Sequence, residues 1–431
     1  MTREVYRNGC DAGGTGAAVC CGLMWSFRVR GLVMGCWLVT AGATTAWSQT
    51  GCVPAAIPRY VSQLRLQQEA LQKQKVNEME TLVPAAIRNQ IVQLKDALAD
   101  ALDMAMRCAP AEVDATALEA DLAKTLGANQ PEKPAEPKPE EEEETPGIRA
   151  YGGDLKVSAT APPNAPQWRI VTVSFGIECG EDTMLLLYEW AGWGWRRSLR
   201  WQSAPYVEIS GAFGSFFQYA VVPGVVPQKI VVAHGTPACR PSFSTFKIDV
   251  LEKIAGGNSA GVWLHMERGY SPGDGEIRLR GSADTFTLRV NAPALDANAD
   301  GRVVIYRYQI DGRSLSRIAP ISTTGRGFVE EWLEMPWDEA IGQTAPQAVG
   351  KMQRVHSGLA RLDRDATTSV NYTYGPVRAC AVKGQYEVEM DADRGGPEFF
   401  TIKDQPVGYL MVDYGTTHDE HCNGPDLTKT Q

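Results

Sequence analysis

Two stretches of this sequence gather side chains able to do chemistry. The first is His418-Asp419-Glu420-His421-Cys422, where two imidazoles three residues apart stand beside carboxylates, the donor types that hold zinc or copper. His418 and His421 are therefore the candidate metal ligands, while Cys422 is better used in a disulfide outside the cell. The second is an aromatic run, Tyr188, Trp190, Trp193, Trp195 and Trp201, interleaved with Arg196, Arg197 and Arg200. Aromatic faces exposed on a sheet stack on sugar rings, and the guanidinium groups beside them hold carboxylates or anionic glycans. Trp193, Trp195, Arg196 and Arg197 are the candidate ligand-binding residues. Alternating aromatics also fill the space between packed sheets. Trp190 and Trp201 are accordingly expected in the core, and Trp193, lifted by Ala191-Gly192 and Gly194, at the surface.

Other chemistry is sparse. No His pair occurs as HExxH, and there is no GxGxxG loop or P-loop. No cofactor is implied. Asp296 to Gly301, "DANADG", opens like a calcium loop, but its twelfth position is Arg307 instead of Glu, so it reads as a tight connection between strands. His234 and His265 read as structural. Glu330, Glu331, Glu334, Asp338 and Glu339 around Trp332 and Trp337 read as the solvated edge of a helix.

The elements that must position these residues change character along the chain. From Pro58 to Cys108 the period is helical. Ile57, Val61, Leu64 and Leu71 mark one apolar face and Ile87, Ile91, Leu94, Leu98 and Ala101 another. Pro84 opens the second helix, since proline is tolerated in a first turn and not in a helix interior. The result is an antiparallel hairpin that brings Cys52 beside Cys108, and a disulfide closing that loop stabilises by roughly 4 kcal/mol on chain-entropy grounds. A short third helix starts at the N-cap Asp114. The hairpin, residues 52–127, is also a candidate surface for self-association.

Residues 128–147, "ANQPEKPAEPKPEEEEETPG", alternate proline with charge and read as an extended linker of about 60 Å reach. From Tyr151 the period becomes two. Strands are expected at 169–175, 184–190, 195–202, 217–222, 229–233, 246–251, 262–267, 276–280, 285–290, 303–309, 369–374, 386–390 and 409–413. A helical insertion at 328–363 interrupts them. Two hairpins, 185–201 and 303–318, share aliphatics, a tyrosine (Tyr188, Tyr306), a glycine turn and Arg-Ser-Leu. The fold class is mainly β: an N-terminal helical hairpin, then an antiparallel β region over 151–429, propeller-like or sandwich.

The first 48 residues read as a signal peptide. Arg28 and Arg30 precede the apolar run Gly31 to Ala46, and Ala46-Trp47-Ser48 offers small residues for cleavage. The run is shorter than the roughly 20 apolar residues of a span. Met24 is an alternative start. Of ten cysteines, Cys52, Cys108, Cys179, Cys239, Cys380 and Cys422 lie beyond the cut, an even number, with one pair in the helices and two in the β region expected. Lys and Arg total 42 against 51 Asp and Glu. The first 48 residues carry a net +2, so a net −9 becomes −11 without them. An acidic chain lacks the dense basic face that nucleic acid requires.

The sequence thus points to an exported, periplasmic or secreted binding or assembly protein with no span in its mature form, whose partner is an envelope protein or a glycan. An enzyme is the less favoured reading. Its form would be an extracytoplasmic hydrolase of polysaccharide or peptide, with two carboxylates, or a histidine and a carboxylate, at the floor of one pocket.

Overall fold

The computed structural model describes residues 51–74, 83–130, 151–177, 180–203, 216–225, 227–235, 244–253, 260–262, 267–270, 277–296, 299, 301–364, 372–392 and 395–430. The expected leader, most of the expected linker, Cys179, Cys239 and His265 lie outside them.

Helix α1 spans Ile57–Gln72, α2 Ala85–Cys108 and α3 Ala115–Leu126. Pro84 sits at the N-cap of α2, as its missing N–H permits. Asp114 caps α3 by accepting from the N–H groups of Thr116 and Ala117, and Gly127, at φ +62°, closes it in the left-handed conformation. Cys52 is bonded to Cys108, which ties the entry of α1 to the end of α2 and fixes the hairpin as antiparallel.

The β chain folds as a series of meanders, each strand pairing antiparallel with the next. The first sheet joins β1 (Lys156–Thr160), β2 (Trp168–Ile177), β3 (Gly180–Trp190) and β4 (Trp195–Gln202). The second joins β5 (Phe217–Val222), β6 (Lys229–Gly235), β7 (Ser244–Lys253) and β8 (Ala260–Val262), with β9 (Glu267–Tyr270) also on β7. The third joins β10 (Arg278–Gly281), β11 (Thr285–Ala292), β12 (Arg302–Asp311) and β13 (Ser314–Arg317). Helices α4 (Gly325–Glu334), α5 (Trp337–Ala340) and α6 (Val349–Arg364) intervene. The last sheet joins β14 (Tyr372–Ala379), β15 (Gln385–Ala392), β16 (Gly396–Asp404) and β17 (Tyr409–Gly415), and Cys380–Cys422 pins the segment after β17 to the end of β14. The architecture is mainly antiparallel β with an N-terminal helical hairpin and a short helical insertion.

Packing is serial. Period-2 alternation sends Val171, Val173, Phe175, Met184, Leu186 and Tyr188 to one face of the first sheet, where they share a core with Leu64, Leu71, Ile91, Leu94, Leu98 and Leu102 of the helices. The opposite face, with Ile170, Leu185, Leu187, Leu199 and Trp201, meets Ile230, Val232 and Leu251 of the second sheet. The other side of the second sheet, through Val231, Phe246, Ile248 and Val250, packs on Phe286, Leu288, Val304, Tyr306 and Tyr308 of the third. A separate core joins the last sheet to α4 and α6 through Phe328, Trp332, Met352, Val388, Phe400 and Met411.

The helical hairpin is therefore not a bundle closed on itself, because its apolar stripe is roofed by the first sheet. Polar contacts reinforce that interface. Gln68 donates to the carbonyl of Gly152 at 2.8 Å, and Lys95 lies 2.8 Å from Asp182. Ala128 and Asn129, read from sequence as the start of the linker, belong to the fold. Ala128 is buried, and the Asn129 amide donates to Val157 O and accepts from Val157 N, both at 2.9 Å, extending the edge of β1.

Candidate functional site

The aromatic hairpin divides into two groups. Gly192, at φ +87°, turns the chain between β3 and β4 and leaves Trp190 and Trp193 each 37% exposed, while Arg196 is exposed beside them. Trp195 is 2% exposed: its Nε1 donates to Pro110 O at 3.0 Å and the Arg169 guanidinium lies 4.8 Å above its ring. Arg197 reaches Asp103 of α2 at 3.4 Å, and Tyr188 donates to the same carboxylate at 2.9 Å. Burial raises the pKa of Asp103, and the Arg197 charge and the Tyr188 hydroxyl oppose it. Trp195 and Arg197 thus face the helices and are not open to a ligand, which corrects the sequence expectation. The reason is that Asp103 offers a half-buried partner from a part of the chain that spacing within the hairpin does not reveal. Trp190, expected in the core, lies at the rim and meets Trp195 edge-on at 5.6 Å. Trp201 is buried between the first and second sheets, where its Nε1 donates to Asp249 at 2.7 Å. Trp193 and Arg196 remain outward, without a further candidate beside them.

The His418 to Cys422 segment does not assemble a metal site. His418 Nδ1 is held by the buried carboxylate of Glu387 and Nε2 by Asn423 Oδ1 at 2.9 Å, so both ring nitrogens are engaged. The hydrogen bonds to Asn423 and Glu387 raise its pKa, favouring a proton over a metal ion. His421 is exposed, and Cys422 is in the disulfide. Among the described residues, no three His, Cys, Asp or Glu side chains converge to hold a metal. Asp296, expected at a tight connection, accepts from Tyr374 N at 2.9 Å and bridges toward β14.

Glu334 and Asp338 are exposed as their spacing predicts, but Glu330 and Glu331 are buried instead of lying on a solvated edge. Arg302 of β12 contacts Glu330 at 2.9 Å, Glu331 at 2.8 Å and Glu334 at 2.6 Å, and Arg317 of β13 contacts Glu331 at 2.5 Å and Glu339 at 3.0 Å. Tyr308 donates to Glu339 at 3.0 Å. Burial works against the charge of Arg302, yet Glu331, Glu334 and Glu330 around it hold its pKa above the ordinary value. Burial also raises Glu330, against the pull of Arg302, whereas Arg317 and Arg302 overcome the burial of Glu331 and lower it. Displaced carboxyl pKa values are a mark of acid–base sites. Here Arg302, Arg317, Glu330 and Glu331 are all buried, and each carboxylate faces a protein guanidinium. The network joins the β12–β13 hairpin to α4 and, through Glu339, to α5.

An open cleft of about 460 Å³ lies next to it, where the start of α4 meets the last sheet and the C-terminal segment. That volume falls in the range of small-molecule sites. Thr324 caps α4, accepting from Gly327 N at 3.1 Å, and places Thr323, Thr324 and Arg326 on one wall. A Cβ at Gly325 would stand 2.9 Å from Ile402 Cδ1 of the facing strand, and the end of that side chain would have to shift. Tyr386 of β15, Asp404 at the end of β16 and Tyr409 at the start of β17 make the second wall, and Val377, Ile402 and Leu427 add apolar surface, with Thr428 at the end. Tyr386 donates to Asp404 Oδ2 at 2.9 Å, and that bond raises the phenol's pKa. Tyr409, packed on Phe328 at 5.7 Å between ring centres, is raised by burial and by Asp404. Arg326 donates to Gly375 O and stacks 4.9 Å over Tyr374. Among the described residues of the lining, Asp404 is the one carboxylate and no histidine takes part.

Sequence reasoning missed this cleft because its residues come from six separate segments. The one local signal was the Thr-Thr-Gly before an apolar helical run, which marks a helix start. No protein-family model matches this chain, and a comparison with curated proteins finds no match.

Proposed function

We propose that this is an exported, non-enzymatic binding protein of the cell envelope or extracellular space, with its ligand site in the cleft between α4 and the last sheet. What carries the reading is the make-up of that cleft. A hydrolase needs an acid and a base at one substrate-accessible place. Among the described residues the cleft's lining has one carboxylate and no histidine, while Glu330 and Glu331 are held in ion pairs away from solvent. Hydroxyls, phenols and aliphatic surface around a small volume suit the retention of a ligand. Two disulfides favour an oxidising compartment. Among the described residues, no helix is long and apolar enough to cross a membrane.

The test is a thermal-shift and saturation-transfer NMR screen of the chain from Gln49 onward against sugars, amino acids, nucleosides and short peptides, with Tyr409→Ala as the cleft control. Binding that the substitution removes is expected. Release of product from a polysaccharide or peptide by the parent chain would overturn the non-enzymatic reading.

A further inference from the structure

Resting on the cleft as the ligand site, we infer that its ligand is a neutral saccharide of one or two rings. Both charges of the cleft already make contacts within the protein. Arg326 donates to Gly375 O, approaches Thr428 Oγ1 at 3.4 Å and lies over Tyr374. Asp404 accepts the Tyr386 hydroxyl. Guanidinium and carboxylate therefore cancel in sum, and each is partly satisfied before any ligand enters. An anion or a zwitterion would have to compete with these contacts while losing its own water, which is costly.

What the cleft presents beyond the charges is hydroxyl chemistry: the threonines at the start of α4, Thr428, and the phenols of Tyr386 and Tyr409. Both phenols have pKa values above the ordinary one, Tyr386 through its bond to Asp404 and Tyr409 through burial, so they stay neutral and able both to donate and to accept. Asp404 accepts from hydroxyls as readily as from a phenol. Ile402, Val377 and Leu427 supply apolar contact for the C–H face of a ring. Paired hydroxyl donors and acceptors over an aliphatic floor match a polyol ring that has hydroxyls at its edge and C–H bonds on its face.

Isothermal titration and saturation-transfer NMR on the chain from Gln49 onward, with glucose, galactose, N-acetylglucosamine, maltose and cellobiose as probes, test this. Glucuronic acid, serine and glutamate serve as charged comparators. At least one neutral sugar is expected to bind with an affinity unchanged between about 50 and about 500 mM salt. Asp404→Asn should weaken it about tenfold and Tyr386→Phe somewhat less, with melting temperatures showing both variants folded. Binding of the charged comparators alone would overturn the saccharide class and leave the cleft as a site. A sugar affinity lost in Trp193→Ala and kept in Asp404→Asn would move the site to the β3–β4 tip and overturn the inference. So would the absence of binding to every neutral sugar.

Discussion

Lys95 of α2 and Asp182 of β3 meet at 2.8 Å with side-chain exposures of 1% and 0%. The same ammonium donates to Ser203 O at 2.9 Å, so one charge pins a helix to two places on the first sheet. Desolvating the two ions offsets much of their attraction, but stranding one of them does not. Lys95→Met is expected to cost about 3–5 kcal/mol in urea unfolding, and Lys95→Met with Asp182→Leu clearly less. Equal losses in the single and double variants would show that the pair is not the source.

The hairpin and the first sheet share a core, so cutting the chain between 131 and 147 should not part them. After a protease nick there, the two pieces are expected to co-elute in gel filtration with an unchanged near-UV signal and to separate only in denaturant. Separation under native conditions would mean that the shared core is too weak to hold them.

The aromatic hairpin supplies an internal contrast. Trp195→Ala removes a buried ring together with its bond to Pro110 and should cost about 3–5 kcal/mol. Trp193→Ala, at the exposed tip, should stay within about 0.5 kcal/mol. Chemical denaturation of the two variants reads this directly, and equal losses would place the tip in the core.

Glu398 gives a pH signature. Burial pushes its carboxyl up to about 7 from an ordinary 4.5, and no charge offsets it. Below about pH 4.5 both folded and unfolded chains hold the proton. Between 4.5 and 7 the unfolded chain ionises while the folded one does not, so stability falls as pH rises and is lowest above 7. The side chain is only half-buried and water screens it, so the contribution is about 1 kcal/mol. Glu398→Gln is expected to be more stable than the parent at pH 8 and indistinguishable from it at pH 4. A parent profile matching the variant's at both pH values would remove the effect.

How far the sequence led differs between particular residues. The uninterrupted apolar run Met184 to Tyr188 exists because the first sheet is covered on both faces, and it marked β3 without ambiguity. The Cys52–Cys108 bond followed from the geometry of a hairpin, since α1 and α2 must return to one level. The strand Gly396–Asp404 went unread because it opens with Gly-Pro and sets Phe399 beside Phe400, which breaks the alternation. Glu330 and Glu331 of α4 looked solvated because Arg302 and Arg317, which neutralise them, lie on an earlier hairpin. Contact across that distance is a property of topology. The cleft escaped for the same reason, being assembled from the ends of elements.

The serial order of the layers bears on how the molecule opens. Each apolar interface joins only neighbouring layers, and the one between the first and second sheets is built around Trp201 and its bond to Asp249. A stack of this kind behaves as a chain of nearest-neighbour couplings, so loss of one coupling divides it without melting the parts on either side. In native-state hydrogen exchange, Trp201→Phe should make the amides of β4 and β6 exchange faster together, while those of β15 and β16 keep their protection. The helical end would then respond to strain independently of the end that carries the cleft, and damage at one would leave the other competent.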